Sequence, residues 1–228
     1  VFSGKRSTLI PGIALNGTEL NQINQCHFLG IIIDQKLSWK AHIQATCRKL
    51  AKSIGVLYKV SKMFSKSLMM QLYNSFILPY IQYGITLWGA SPISSLNPIL
   101  VLQKKALKIA QNLPRRTSSS SLFCDPKVRP IHDQYKLNTG VFMFKFNKSL
   151  LPNCFDNYFQ ANSAVHSHHT RSAALYRLPL FSTTYCQQSV LFQGPKLWSS
   201  IPESIRLCTS LETFKSRMKV HLADQRNS

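Results

Sequence analysis

Acidic residues are scarce in this sequence: eight Asp and Glu stand against 28 Lys and Arg in 228 residues, a formal net charge of +20. Between Asp34 and Asp125 there is no acidic residue, while the same stretch carries thirteen Lys and Arg. Helical surfaces ordinarily mix signs, because opposite charges at i,i+4 stabilise and like charges cost. A single-sign excess, with a pI near 10.0, calls for a polyanionic partner, either nucleic acid or an anionic membrane surface. The same scarcity argues against catalysis by this chain. Two-metal chemistry needs clustered carboxylates, and the sequence has no Asp-Asp and no Asp-x-Asp. It also lacks a Gly-x-Ser-x-Gly elbow and a Gly-rich phosphate loop. No residue is assigned a catalytic or metal-binding role.

Other absences narrow the class. The six cysteines contain no CxxC pair, which excludes zinc-ribbon and thioredoxin motifs. The opening, Val1 to Arg6, reads as neither a signal-peptide n-region nor a transit peptide, but as the middle of something longer. Reduced thiols in an intracellular compartment, cytoplasmic or nuclear, follow, rather than secretion. Ser67 to Gln103 carries no charge of either sign, but Gln71, Asn74, Ser75, Pro79 and Gln82 interrupt it. A buried helix pair explains that pattern better than a membrane span. His166, His168 and His169 match no zinc spacing and read as an exposed loop. Leu191 to Pro195 resembles a picornaviral protease cleavage site, but sits between apolar residues and reads as coincidence.

What is present is enough to fold. Hydrophobic residues make up 44%, with 13 Phe, 8 Tyr and 3 Trp, which excludes wholesale disorder. Asn16-Gly17, between Ile13-Ala14-Leu15 and Thr18-Glu19-Leu20, is a hairpin signal. The run Phe28 to Ile33 reads as a further strand pairing with that hairpin, followed by a turn over Asp34 to Ser38. From Trp39 to Phe64 the period becomes helical. Ile43, Cys47, Leu50, Ile54, Leu57, Tyr58 and Phe64 fall within roughly 120° of arc. Arg48, Lys52, Lys59 and Lys66 project within about 40° of one another on nearly the opposite side. A second helix runs from Ser67 toward Gly84, bent or broken at Pro79. A third starts with Asn97 as N-cap and Pro98 at its first position. Its expected buried stripe is Ile99, Leu102, Ala106, Ile109 and Leu113, with Lys104, Lys105 and Lys108 outside. Residues 115–129 read as a linker. Helices follow over Ile131 to Leu151, around Lys196 to Trp198, and after a capping box of Thr209 and Glu212. A strand is possible over Ala174 to Phe181.

Four segments, in order, resemble the C-terminal part of reverse transcriptases from jockey-like non-LTR retrotransposons. The first is Phe28-Leu29-Gly30-Ile31-Ile32-Ile33-Asp34 with Leu37-Ser38-Trp39 and His42-Ile43. The second is Leu72-Tyr73, Leu78-Pro79-Tyr80, Tyr83-Gly84 and Leu87-Trp88-Gly89. The third is Leu102 to Ile109. The fourth is Thr170-Arg171, Gly194-Pro195, Leu197-Trp198, Ile201-Pro202, Ile205-Arg206, Ser210 and Phe214-Lys215. Ser199 departs from the family's usual Asn after the Trp.

The resemblance implies an α+β, mostly α-helical fold. Residues 1–39 would be the last palm strands, with the primer-grip region at Phe28, Leu29 and Gly30. Residues 40–114 would be a helical thumb, 115–129 a linker and 130–228 a C-terminal extension. The family's catalytic Asp pair lies upstream of Phe28, and this chain lacks it. Mg²⁺ is expected for the intact parent polymerase and no cofactor for this chain. The expected partners are a template–primer duplex of RNA and DNA and the upstream polymerase domain. The candidate nucleic-acid contacts are Arg48, Lys52, Lys59, Lys62, Lys66, Lys104, Lys105 and Lys108. Phosphate neutralisation by such residues asks for no base-reading side chain. A non-catalytic nucleic-acid-binding relic or domesticated protein is the alternative, and a membrane-associated basic protein a further one.

Overall fold

The computed structural model describes residues 12, 14–19, 21, 23–123, 125, 128–164 and 175–227. It has the expected class: short antiparallel pairs at the N-terminal end, then helices. Strand β1 (Ala14–Leu15) pairs with β2 (Thr18–Glu19) across Asn16 and Gly17, both at positive φ, 49° and 79°. That is the type I′ geometry the Asn-Gly pair favours. The next apolar run departs from expectation. It is itself a hairpin, β3 (Gln25–Phe28) against β4 (Ile31–Asp34), turning at Leu29 and Gly30 with φ 46° and 77°. Glycine tolerates that backbone, so the chain folds back instead of continuing as one strand. The two hairpins belong to separate two-stranded sheets.

Asp34 launches the helical part. Its carboxylate accepts from the backbone N–H groups of Lys36, Ser38 and Trp39 and from the Ser38 hydroxyl, at 2.9–3.2 Å. The first helix, α1 (Lys40–Val60), buries Ile43, Leu50, Ile54 and Leu57. Tyr58 and Phe64, expected on that face, are exposed. The helix ends at Val60, so Phe64 lies in the following turn, and Tyr58 at the edge of the arc stays outside.

Helices α2 (Lys66–Phe76) and α3 (Leu78–Gln82) break at Ile77, with Pro79 in the first turn of the second piece. Proline fits there because no N–H is needed. A short α4 (Ile85–Trp88) follows Gly84, at φ 60°. Helix α5 (Ile93–Ala110) starts a turn earlier than Asn97, so Pro98 lies inside it. Pro92 precedes its first turn, and its carbonyl accepts from Ser95 and Leu96. Leu96, Ile99, Gln103, Ala106, Leu107 and Ala110 form its buried side, and α1 packs along it. Leu102, Ile109 and Leu113 are half-buried at the edge. Within residues 115–129, α6 (Ser119–Leu122) forms, and Leu122 and Val128 are buried in the same core as α1 and α5.

Helix α7 (Ile131–Asn147) is the spine. Ile131 belongs to that first core, whereas Leu137, Met143 and Phe144 belong to a second. Helix α8 (Thr184–Gln187) packs on α9 (Val190–Ser200), which closes the second core with α10 (Glu203–Arg206) and α11 (Leu211–Asn227). Phe144 stacks on Phe214 with centroids 4.7 Å apart. A Cβ at Gly140 would lie in ordinary van der Waals contact with Met218, Phe214 and Ile201, at 3.6–3.7 Å, so α7 packs closely on these residues. Gly194 and Pro195, the protease-site lookalike, are buried within α9. Helix α11 is capped by Ser210, whose hydroxyl accepts from Thr213 N–H at 3.1 Å, one residue later than the expected Thr209. Of the possible strand, only an isolated bridge between Ala161 and Tyr176 forms among the described residues. The three clustered histidines lie outside them.

Gln103 ties the start of α7 to α5 and α2. It has no exposed surface. Its amide nitrogen donates to Tyr73 Oη at 3.0 Å and Arg129 O at 2.8 Å, and its amide oxygen accepts from Ile131 N–H at 3.1 Å. Gln103→Leu leaves three buried polar groups without this partner, each costing about 1–3 kcal/mol. We expect a loss of at least about 2 kcal/mol in urea denaturation, against about 1 kcal/mol for Tyr73→Phe.

Asp133, on α7, pairs with Arg226 of α11 at 3.0 Å. Burial raises the Asp133 carboxyl above its ordinary value, outweighing the attraction of Arg226. The folded chain then holds that proton to higher pH than the unfolded chain, so folding takes up a proton between the two values. The stability due to this group is greatest below the unfolded value and falls as pH rises through the folded one. The stability difference between the native chain and Asp133→Asn should therefore shift in the native chain's favour as pH drops from about 7 to about 4. Denaturant titrations at several pH values check the sign.

Candidate nucleic-acid interface

The cationic stripe of α1 follows from its register. With Ile43, Leu50, Ile54 and Leu57 turned inward, Arg48, Lys52 and Lys59 lie on the opposite side, and all three are exposed. Lys62 and Lys66 are exposed too, but α1 has ended before them. Lys66 opens α2, so it reaches the surface by the turn after Val60 and not by continuing the face of α1. Lys49, outside the projected stripe, places its Nζ 5.9 Å from the centroid of the Tyr80 ring. This contact joins residues 31 positions apart, and no projection of α1 alone reveals it.

The helix ends reinforce the positive potential. Neither α1, α2 nor α5 has an acidic residue in its first turn, and α1 and α2 each begin with a lysine. A cation at the positive end of a helix dipole is destabilising by a few tenths of a kcal/mol or more unless an anion is near.

The lysines of α5 are placed differently. Lys105 is exposed, Lys104 is half-buried, and Lys108 donates from Nζ to Arg115 O at 2.6 Å. The turn after α5 thus brings the Arg115 backbone against Lys108.

The Phe28–Gly30 segment is a hairpin tip held from below. Tyr83 Oη donates to Leu29 O, and a Cβ on Gly30 would lie 3.5 Å from the Tyr83 ring. At Gly84 a Cβ would stand 2.6 Å from Ile31 Cδ1. Trp88 Nε1 donates to Tyr83 O at 2.9 Å, and the Trp88 ring faces His42 at 5.5 Å. His42 Nδ1 in turn accepts from Ile32 N–H at 3.4 Å. Burial, with Lys49 nearby, lowers the His42 pKa, which favours the neutral ring that accepting from Ile32 requires. Pinned this way, the tip leaves Phe28 61% and Leu29 75% exposed.

The acidic residues do not gather. Asp34 caps the turn before α1, and Asp133 faces Arg226. Among the described residues no three His, Cys, Asp or Glu side chains could share a metal ion. Among the same residues, no helix is long and apolar enough to cross a membrane.

No family model matches the chain, and no solved structure does. Curated proteins do. The RNA-directed DNA polymerase from mobile element jockey of Drosophila melanogaster is 28% identical over 151 residues, covering 64% of this chain and 16% of that protein. Its counterpart from Drosophila funebris is 28% identical over 129 residues, 55% of this chain and 14% of that protein. The probable RNA-directed DNA polymerase from transposon BS of Drosophila melanogaster is 28% identical over 137 residues, 59% and 15% of the two chains. The matched region is thus about one seventh of each relative's length. By sequence the chain is similar to the RNA-directed DNA polymerases of jockey-like mobile elements, in keeping with the resemblance its motifs carry.

Proposed function

We propose that this chain is the part of an RNA-directed DNA polymerase that holds the template–primer duplex by its backbone, and that it carries no catalytic Asp pair of its own. The observation that carries this reading is the exposed single-sign face of α1, Arg48, Lys52 and Lys59, in a stretch without acidic residues from 35 to 124. Lys62 and Lys66 at the following turn, and Lys105 on α5, extend the positive surface. The division into palm strands up to residue 39, a thumb over 40–114, a linker and a C-terminal extension belongs to the same reading. The hairpin tip at Phe28, Leu29 and Gly30 would meet the primer side. The upstream polymerase domain would supply the carboxylates for Mg²⁺, and the complex would act inside the cell, in nucleus or cytoplasm.

Each neutralised phosphate on duplex DNA changes the log–log salt slope by about 0.9. Replacing Arg48, Lys52 and Lys59 together by Gln should make the slope on an RNA–DNA hybrid shallower by about two to three units, equally on unrelated sequences. Gln keeps a helix propensity near that of Lys and Arg, so the fold should hold. An unchanged slope with a normal melting curve would make the stripe an ordinary solvated face. The isolated chain should extend no primer on an RNA template with Mg²⁺ or Mn²⁺; template-dependent extension would refute the non-catalytic assignment.

A further inference from the structure

Two adjoining grooves run along the start of α1, away from the middle of its stripe. One, of about 580 Å³, lies between α1 and the start of α5 and is bordered by Lys40 and Arg48. The other, of about 460 Å³, is closed on its far side by the C-terminal segment 182–188 and is bordered by Lys36, Lys40, Thr184 and Tyr185. Lys40 and Ser95 line both, so the two adjoin as one open channel, of which the second groove alone reaches the C-terminal region.

The chemistry of this channel is uniform. Its charged side chains are all cationic, and the rest of its lining is hydroxyl, amide or apolar, with no carboxylate. Asp34, the nearest acidic residue in sequence, has its oxygens turned to the N–H groups of Lys36, Ser38 and Trp39. The far wall is braced. Gln187 donates to Phe181 O at 2.8 Å, Gln193 to Gln187 O at 2.7 Å and Ser189 to Cys186 O at 2.6 Å. On that wall Tyr185 is 39% exposed, an aromatic face in a groove whose opposite wall carries lysines.

We infer that this channel is a path for a single nucleic-acid strand, with Lys36, Lys40 and Arg48 on successive phosphates and the Tyr185 ring stacking an unpaired base. Cationic grooves with an aromatic platform bind single strands with little sequence preference. A duplex keeps its bases stacked on one another and offers such a ring nothing. From Lys40 to Arg48 the α1 axis advances about 12 Å, so the cations are spread along a strand and do not converge on one phosphate. The inference extends the nucleic-acid reading above to the C-terminal region, and rests on it only for the class of ligand.

The test uses the whole chain, labelled oligo(U), oligo(dT) and an RNA–DNA hybrid, each over a range of salt. Tyr185→Ala should weaken binding of a single strand about tenfold, and Tyr185→Phe should retain it. Lys36→Gln with Lys40→Gln should make the single-strand slope shallower by about 1.4. Both variants should leave hybrid affinity within about twofold, while Lys52→Gln with Lys59→Gln should do the reverse. Loss on oligo(U) alone, oligo(dT) alone or both identifies the strand as RNA, DNA or either, and each supports the channel. If neither channel variant changes single-strand binding, or if both weaken the hybrid as much, the inference is overturned. If the Lys52 and Lys59 pair leaves the hybrid untouched while the channel variants weaken single strands, the duplex reading fails and the channel stands. All five substituted residues, Lys36, Lys40, Lys52, Lys59 and Tyr185, are exposed, and thermal melts confirm that each variant folds.

Discussion

The amide of Gln103 faces a demand that no apolar residue could meet. Where the chain enters α7, the Arg129 carbonyl and the Ile131 N–H are turned toward the interior against Tyr73. Buried backbone groups must be paired or they cost comparable free energy to a lost hydrogen bond. One amide offers both a donor and an acceptor, so a single side chain of α5 satisfies the carbonyl, the N–H and the phenol together. The start of α7 is thereby fixed against α5. Because α7 contributes to both cores, the second core inherits its placement from that joint. The 182–188 wall of the channel is carried by that second half, so its distance from Lys36 and Lys40 depends on the same amide.

The residues that make the sequence recognisable are mostly joints of this kind. Asp34 organises the entry to α1, His42 and Trp88 lock β4 beside the helices, and Tyr83 and Gly84 seat the hairpin. Gly89 admits Tyr135 of α7, since a Cβ there would lie 2.6 Å from that ring. Each contact rests on that side chain's own polar atom or ring, or on the absence of a Cβ. That explains why short, scattered motifs can mark a relationship when overall identity is only 26–28%.

What was legible in the sequence was what depends on local period. The inward face of α1, the Asn16-Gly17 turn and the stripe of Phe214, Met218 and Leu222 all follow from spacing. What failed was decided by neighbours. Pro98 looked like a helix start, but Pro92 ends the preceding turn and the helix absorbs the later proline. Gly30 looked like part of a strand until its positive φ and the Tyr83 ring behind it made it a turn. Likewise the charge run predicted the α1 stripe, but it could not place Lys49 over Tyr80 or bring residues 182–188 opposite Lys40.

One of the cations is placed against the local interest of the helix that carries it. Lys66 sits where the helix dipole is positive with no first-turn carboxylate to offset it, whereas at the start of α1 the Asp34 carboxylate accepts from the N-cap N–H of Trp39 beside Lys40. Lys59, in the last turn of α1, has the opposite relation to Lys66 and is locally favourable. A chain selected only for stability would put an acid at position 66. Retaining a lysine there keeps N–H groups and an ammonium group pointed at the same solvent region, which strengthens the local field for an anion at the expense of the helix. Lys40 lies at the start of α1, next to the channel, and Lys66 at the start of α2, beyond the turn after Val60. The exposed cations therefore run from Lys36 and Lys40 beside the start of α1, through Arg48, Lys52 and Lys59, to Lys66 at the start of α2, which is the extended spread that the proposed binding of a polyanion asks for.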